Sequence, residues 1–597
     1  MCGIAGILGA DVGRQVSEMT AALRHRGPDC QATLLLPNAH VGAARLRIVD
    51  LTAGDQPLVS ARSGAVLVFN GEIYNYRELR ALLEARGHRF ETATDSEVVL
   101  RAYEEYGWRC VDHLRGMYAF AIVDGARALL ARDPLGIKPL HYCLLQGGRA
   151  LAFASEIKAL LRCAEVPAEI DEATLGDLHV FQYVADPRAT LFKGIYCLEP
   201  GCCVELSLSG GGLNVRRHVF ALPVEPLDPA PTFESAERRV DELLDAAVRS
   251  HRMADVPFCL TLSGGLDSTL LGVLLRQQVG DGVVSYVAGD DPDHVDMRQA
   301  QRMAALLGFE HRPVVFTFDQ YLAAMPPAIL AGESFTDGVP PYLLFREVGR
   351  DFRVALNGEG ADELLGGYPE HWLADRYVAR LREVPATLPL TERGAGERER
   401  LLSEPALDCD RWMYDHLLGS QLVDRHLHPL DKLSMSSSVE VRVPFLDHEF
   451  AAYIRKLPAA WRVNRTLGSA KYILRRAYLR RWQAMQLPAE LLDAVLREKR
   501  GFPDARRASD LRFHDLCDRI LPERYFEQHP RRRFLFHKVQ AVWFDLFEFL
   551  FCECRGTLPG NFDVLDFLAE HAARPRADVA AVVASGPAPR KPARSDQ

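Results

Sequence analysis

Positive charge, long apolar runs and paired cysteines are all scarce in this 597-residue chain, and each scarcity excludes a class of function. Lys+Arg number 71 against 80 Asp+Glu, a net charge of −9. A general nucleic-acid binder needs a basic face to displace counterions, so no nucleic-acid partner is expected. The short run Arg531-Arg532-Arg533 reads as a solvated face. No stretch reaches the roughly 18 apolar residues that would suggest a membrane span, so no membrane partner is expected. The start, MCGIAGIL, lacks a basic region and a cleavage site and does not read as a secretory signal. The 13 cysteines include no CxxC pair. Cys202-Cys203 and Cys552-x-Cys554 lack zinc-ligand spacing, and no HExxH occurs. Dispersed thiols suit a reducing cytoplasm. Internal repeats and a Walker A loop are also missing.

What remains is an ordinary globular composition, 48% hydrophobic and 25% charged, long enough for two to four domains. Up to about residue 205 the chain shows short β-type runs (Ile4–Leu8, Ala65–Phe69, Tyr118–Val123) punctuated by Gly, Pro and Asp, with one clear helix from Tyr76 to about Arg86. This half reads as a layered α+β unit. A Gly- and Pro-rich stretch within 206–235 reads as a linker. From 236 helices and strands alternate: helices Ala236–His251, Ser268–Gln278 and Gln299–Leu307, and strands Phe258–Leu262, Val283–Val287 and Arg353–Leu356. That alternation predicts a parallel sheet covered by helices. Beyond about 370 the pattern is mostly helical. The Ala/Pro/Arg-rich end, 573–597, is expected to be disordered.

Two segments carry chemistry. Cys2 becomes the first residue if Met1 is removed, and it would then hold a thiol nucleophile beside an α-amine of pKa about 7.7–8.0, a base near neutrality. The ordered series MCGIAGIL, Leu23–Asp29 (LRHRGPD), Arg45–Asp50 (RLRIVD), Phe69–Tyr76 (FNGEIYNY) and Thr94–Glu97 (TDSE) resembles the class II glutamine amidotransferases, whose fold is the four-layer αββα N-terminal-nucleophile hydrolase. The resemblance implies Cys2 as nucleophile, Asn70 and Gly71 as the oxyanion hole, and Arg45, Val49, Glu72 and Asp95 around glutamine. The residue types fit: an oxyanion needs N–H donors, a carboxylate suits a guanidinium fork, and an ammonium suits a carboxylate.

The second segment runs from the strand at Phe258 into Ser263-Gly264-Gly265-Leu266-Asp267-Ser268 and then a helix. A glycine turn at a helix N-terminus presents free N–H groups to an anion. SGGLDS resembles the PP-loop of ATP pyrophosphatases, and Asn357–Glu363 (NGEGADE) and Gly468–Arg475 (GSAKYILR) resemble further segments of the asparagine synthetase B family. This implies an α/β PP-loop synthetase domain. Thr261, Ser263, Gly264, Gly265, Leu266, Asp267, Ser268, Ala288, Asn357, Gly358 and Lys471 would contact ATP or pyrophosphate, Asp267 and Asp362 would hold Mg²⁺, and Glu359 would act as base. Val439–Asp447 (VEVRVPFLD) resembles a structural segment of the family.

The order of the two halves resembles that family over about residues 2–500. The expected layout is a glutaminase domain at 2–205, a linker at 206–235 and a synthetase at 236–555. The implied reaction frees ammonia from glutamine and adds it to an ATP-activated carboxylate, with aspartate the expected acceptor and a homodimer an admissible assembly. The segment Glu333–Arg346, which lies where typical members place an aspartate-binding Arg, has no Arg until Arg346. The same chemistry on another carboxylic acid is therefore the alternative. A silent scaffold and a plain glutaminase fit less well, because both sets of chemical residues are intact.

Overall fold

The structure, a computed structural model, describes residues 2–9, 15–207, 212–222, 227, 230–368, 374–403, 413–496, 508–574 and 576–585. Two six-stranded sheets form the N-terminal half. The first has the order Ile195–Cys197, His141–Leu145, Ala150–Ala154, Cys2–Gly9, Ala39–Arg45, Cys30–Leu36. The second has the order Asn214–Val219, Cys202–Ser207, Arg127–Arg132, Gly116–Asp124, Val66–Ile73, Leu58–Val59. Every pairing is antiparallel.

The sheets face each other through Ile4, Leu8, Val41, Val66, Val68, Ala119 and Ala121. Helices Gln15–Ala22 and Ile157–Leu160 cover the first sheet, and Asp95–Tyr106 covers the second. Strands Cys2–Gly9 and Val66–Ile73 are buried at every position, which explains the apolar or small-residue texture of the first and of Val66–Phe69, before the buried polar Asn70 and Glu72. This is the expected αββα sandwich. Its last strand, Asn214–Val219, lies inside the stretch read as linker, so the second sheet extends past 206.

In the second half five parallel strands stand in the order Glu310–Val315, Val284–Gly289, Phe258–Thr261, Val354–Leu356, Glu440–Arg442. The two outer strands escape periodicity. The first mixes charge with a proline at an edge, and the second is three residues long. Helix Phe233–His251 is capped by Thr232 and buries Ala236, Val240, Leu243, Leu244, Ala247 and Val248 on one stripe.

The halves share their cores: Met117, Leu135 and Ile137 pack with the synthetase strands and helices. Two expectations change. Residues Arg576–Ala584 form a helix where a tail without structure was expected, leaving 586–597 outside the described residues. Arg531 and Arg533 both pair with Glu172, and Arg532 lies 4.1 Å over the Phe526 ring, so this run is not simply solvated.

Candidate active sites

Cys2 begins a strand paired with Ala39–Arg45, opposite Arg45, and is 5% exposed. Its backbone nitrogen lies 3.2 Å from Asn70 Oδ1, which fixes the amide so that Nδ2 is the free end. That Nδ2 is buried and has no acceptor. An orphaned buried donor is costly to keep, and this one stands available to an acceptor beside Cys2. Beside it, a side chain on Gly71 would sit 2.1 Å from the Met117 carbonyl, so only glycine fits. Burial pushes the Cys2 thiol up, so a proton acceptor is required to make the thiolate.

Around this pair, Asp95 starts its helix and accepts from the Ile73 N–H at 2.8 Å. Burial raises its pKa to about 6. Arg45 is less free than its residue type alone suggested. Asp55 Oδ1 takes it at 2.8 Å, and the carbonyls of Val49 and Asp50 accept from it at 3.3 and 3.0 Å. Glu72 turns toward Arg442 of the other half at 3.4 Å, and burial keeps its carboxyl well above the usual range. Gln56, not singled out by sequence, spans the site: Nε2 lies 3.5 Å from Cys2 Sγ, and Oε1 accepts from the Phe69 N–H at 2.6 Å. A glutamine in a loop carries no sequence signal of such a role.

In the second half, a cavity of about 1580 Å³ gathers Thr261, Ser263, Gly265, Leu266, Asp267, Ser268, Ala288, Asn357, Gly358, Glu359, Asp362 and Lys471. Gly264 alone of the predicted set does not line it. Its φ is +72°, and a side chain there would lie 2.8 Å from Gln299, so it serves the turn's geometry. Ser263 Oγ and Ser268 Oγ are 3.1 Å apart and close the loop, whose helix begins at Leu266 after Gly265, without a side-chain cap. Asn357 donates to Thr261 Oγ1 at 2.9 Å, tying the second segment to the first.

Lys471 is 3% exposed and bridges Asp267 at 2.5 Å and Asp362 at 2.6 Å. Its φ of +51° is strained for a non-glycine residue, held by this double ion pair at the start of helix Tyr472–Met485. Glu359 faces His426 Nδ1 at 3.0 Å.

The segment Glu333–Arg346 presents Ser334, Thr336 and Asp337 to the cavity, but Arg346 opens onto a separate pocket of about 330 Å³. Glu333 is buried in an ionic cluster at the domain boundary. It takes the Ile157 and Lys158 N–H groups at 3.0 and 2.7 Å and Lys432 at 2.7 Å. Next to it Asp431 takes Arg26 at 2.8 Å and Lys138 at 3.1 Å, and Arg26 also holds Glu156 at 2.8 Å and the Cys2 carbonyl at 3.1 Å. A continuous buried network thus links the strand carrying Cys2 to the wall of the second cavity.

Comparison with known proteins assigns a family to each half. Residues 1–218 match the family described as "Glutamine amidotransferase domain", and residues 239–543 match "Asparagine synthase". Asparagine synthetase (glutamine-hydrolyzing) 3 of Bacillus subtilis (strain 168) is 32% identical over 530 residues, covering 80% of this chain and 84% of that protein. Asparagine synthetase (glutamine-hydrolyzing) 1 of the same organism is 30% identical over 570 residues, with 84% and 87% covered. Asparagine synthetase B of Escherichia coli (strain K12) is 29% identical over 533 residues, with 84% and 82% covered. The two matches together define an enzyme of glutamine-dependent, ATP-driven amide synthesis. The chain belongs to the asparagine synthase family, with a glutamine amidotransferase domain at its N-terminal end.

Proposed function

We propose that this enzyme converts aspartate, glutamine and ATP into asparagine, glutamate, AMP and pyrophosphate. Cys2, exposed as the first residue by removal of Met1, attacks the amide carbon of glutamine while its own α-amine takes the thiol proton. Asn70 Nδ2 and the Gly71 N–H receive the oxyanion. Arg45 with Val49, and Asp95 with Glu72, hold the amino-acid end. The tetrahedral adduct collapses to a thioester as the α-ammonium returns the proton to the leaving nitrogen, which departs as ammonia, and water then hydrolyses the thioester to glutamate and the free thiol.

At the other site the aspartate side-chain carboxylate attacks the α-phosphorus of ATP over the Ser263–Ser268 loop. Pyrophosphate leaves against Lys471, giving an acyl-adenylate. Ammonia attacks the acyl carbon, Glu359 takes a proton from its nitrogen, and AMP departs. Ammonia passes inside the protein, because ammonium in bulk water has no lone pair to attack with.

The donor set suits a hard cation. Asp267 Oδ1 is buried without a partner, and Asp267 and Asp362 converge on one ammonium. These two carboxylates would hold Mg²⁺, which when bound supplies charge neutralisation on the phosphates.

The observation that carries the reading is this convergence of Asp267, Asp362 and Lys471 in the cavity that also holds Glu359. The test supplies ATP, Mg²⁺, aspartate and either glutamine or ammonium, and follows asparagine and AMP by mass spectrometry. Asparagine and AMP formed in step are expected. Cys2→Ala should abolish the glutamine-driven reaction and leave the ammonia-driven one. Loss of both would sink the two-site reading. AMP release that answers to another carboxylic acid and not to aspartate would move the acceptor.

A further inference from the structure

The synthetase cavity holds a constellation of which the reaction scheme above uses only Glu359. Glu359 and Glu363 stand four residues apart at the end of strand Val354–Leu356, one in the turn and one in helix Ala361–Leu365. A single imidazole lies between them: His426 Nδ1 is 3.0 Å from Glu359 Oε1, and Nε2 is 3.3 Å from Glu363 Oε1. One ligand atom from each of the three lies within 4.8 Å of the others. The Tyr368 ring stacks on the imidazole at 6.1 Å and 26°. Glu363 is fully buried, whereas the Glu359 side chain keeps 27% of its surface open to the cavity.

A neutral imidazole has one N–H and one bare nitrogen. Nδ1 is hydrogen-bonded to Glu359, whereas Nε2 faces Glu363 at ion-pair distance without a hydrogen bond, so the ring offers a compensating charge to both carboxylates only as a cation. Burial pulls its pKa down, but Glu363 and Glu359 outweigh that and hold it at about 9. The charged and titratable groups around the ring are Glu359, Glu363, Asp424, Arg425 and Tyr368, with Asp362 behind Glu363. The ring is thus a fixed cation braced on its buried side by Glu363 and presented to Glu359 on its open side.

We propose that His426 is a positioning residue for amide formation: as an imidazolium anchored on Glu363 it aims the Glu359 carboxylate at the attacking nitrogen and keeps it ionised. The inference rests on Glu359 being the base of the proposed reaction. In the step itself the nitrogen's lone pair forms the C–N bond, the C–O bond to AMP breaks, and one N–H proton passes to Glu359. His426 keeps its own protons throughout. Glu359 is also fixed from its backbone, whose N–H donates to Asn357 Oδ1 at 2.7 Å, so the base is held at both ends. A carboxylate fixed this way needs no reorganisation when the nitrogen arrives.

The test separates the two half-reactions of the synthetase in the full-length enzyme. Acceptor-dependent ATP–pyrophosphate exchange reports adenylate formation, which precedes the base. Ammonia-driven product formation reports the step that uses it. His426→Asn should leave exchange and glutaminase activity within about twofold while lowering the ammonia-driven kcat roughly 10- to 100-fold. Its kcat should also need higher pH, because loss of a neighbouring cation makes the ionised carboxylate less favourable. His426→Lys, which restores the cation, should recover part of the rate and the original pH profile.

An unchanged kcat and pH profile in His426→Asn would overturn the proposal, as would an equal loss of exchange and product formation with no recovery in His426→Lys. Glu359→Gln distinguishes the underlying reading. If wild type shows exchange but Glu359→Gln retains full product formation, the base assignment fails and this inference with it. If Glu359→Gln is inactive and His426→Asn is not, only the inference fails.

Discussion

The two candidate sites solve opposite problems. Around Cys2 the walls are sheet strands, the nucleophile is 5% exposed, and a donor, Asn70 Nδ2, is left unpaired. Around the Ser263–Ser268 loop the space is about 1580 Å³, and the strong charges compensate one another: Lys471 with Asp267 and Asp362, His426 with Glu359 and Glu363. Where the reacting group is a neutral amide, a site can keep one donor waiting in a buried pocket, at the modest cost of a neutral unsatisfied group. A site for a highly charged nucleotide cannot keep bare charges waiting, because an uncompensated buried charge costs several kcal/mol. It stores them as ion pairs that the ligand must rearrange. The reacting end of the first site is prepared by packing, the second site by electrostatic exchange.

Three substitutions sharpen or break that contrast. The largest effect is expected at the seam between the sites. Arg26 and Glu156 are fully buried, and Arg26 joins the Cys2 carbonyl to Asp431. Arg26→Met should cost about 3 kcal/mol, the lower end for a broken buried pair, since Lys138 still faces Asp431 and Lys158 still faces Glu156. A lowered denaturation midpoint shared by both halves is expected, and a change confined to one half would mean that the network does not couple them.

Next, Asp267→Asn should lower AMP and pyrophosphate release roughly 100-fold or more while glutamine hydrolysis continues. Unchanged pyrophosphate release would remove Asp267 from the metal and phosphate site. The smallest effect concerns pH. Burial raises Asp95 to about 6, so its carboxylate is charged above that pH and neutral below it. An ammonium needs the charged form. Glutamine affinity of the Cys2→Ala protein, measured by calorimetry, should therefore hold above pH 6 and weaken as pH falls, by about tenfold per unit. A flat profile down to pH 5 would free Asp95 of that role.

Legibility in the sequence followed the range of the signal. Ser263–Ser268 was readable because a strand, a glycine turn and a helix start are contiguous and each has a local rule. The core strands were readable because burial on both faces imposes an apolar run. The short strand Glu440–Arg442 carries no strand signal of its own, since its place as the fifth strand depends on pairing with Val354–Leu356. Strand Asn214–Val219 hid in a polar, Gly-rich neighbourhood because an edge strand needs little burial. Lys471 alone looked like any helix lysine, and its burial comes from two carboxylates more than a hundred residues away.

By itself, the sequence determined the two-part architecture and the αββα and parallel-sheet classes, and it singled out candidate residues for both sites, because those rest on local patterns and ordered motifs. Only the tertiary structure decided which charges compensate which. It set Gln56 against Cys2, Arg26 between Cys2 and Asp431, Glu333 against Lys432, and His426 between Glu359 and Glu363. The reason is physical. Coulombic and hydrogen-bond partners are chosen by distance in space, and no local propensity of a Gln, Arg or His records which distant carboxylate the fold will bring to it.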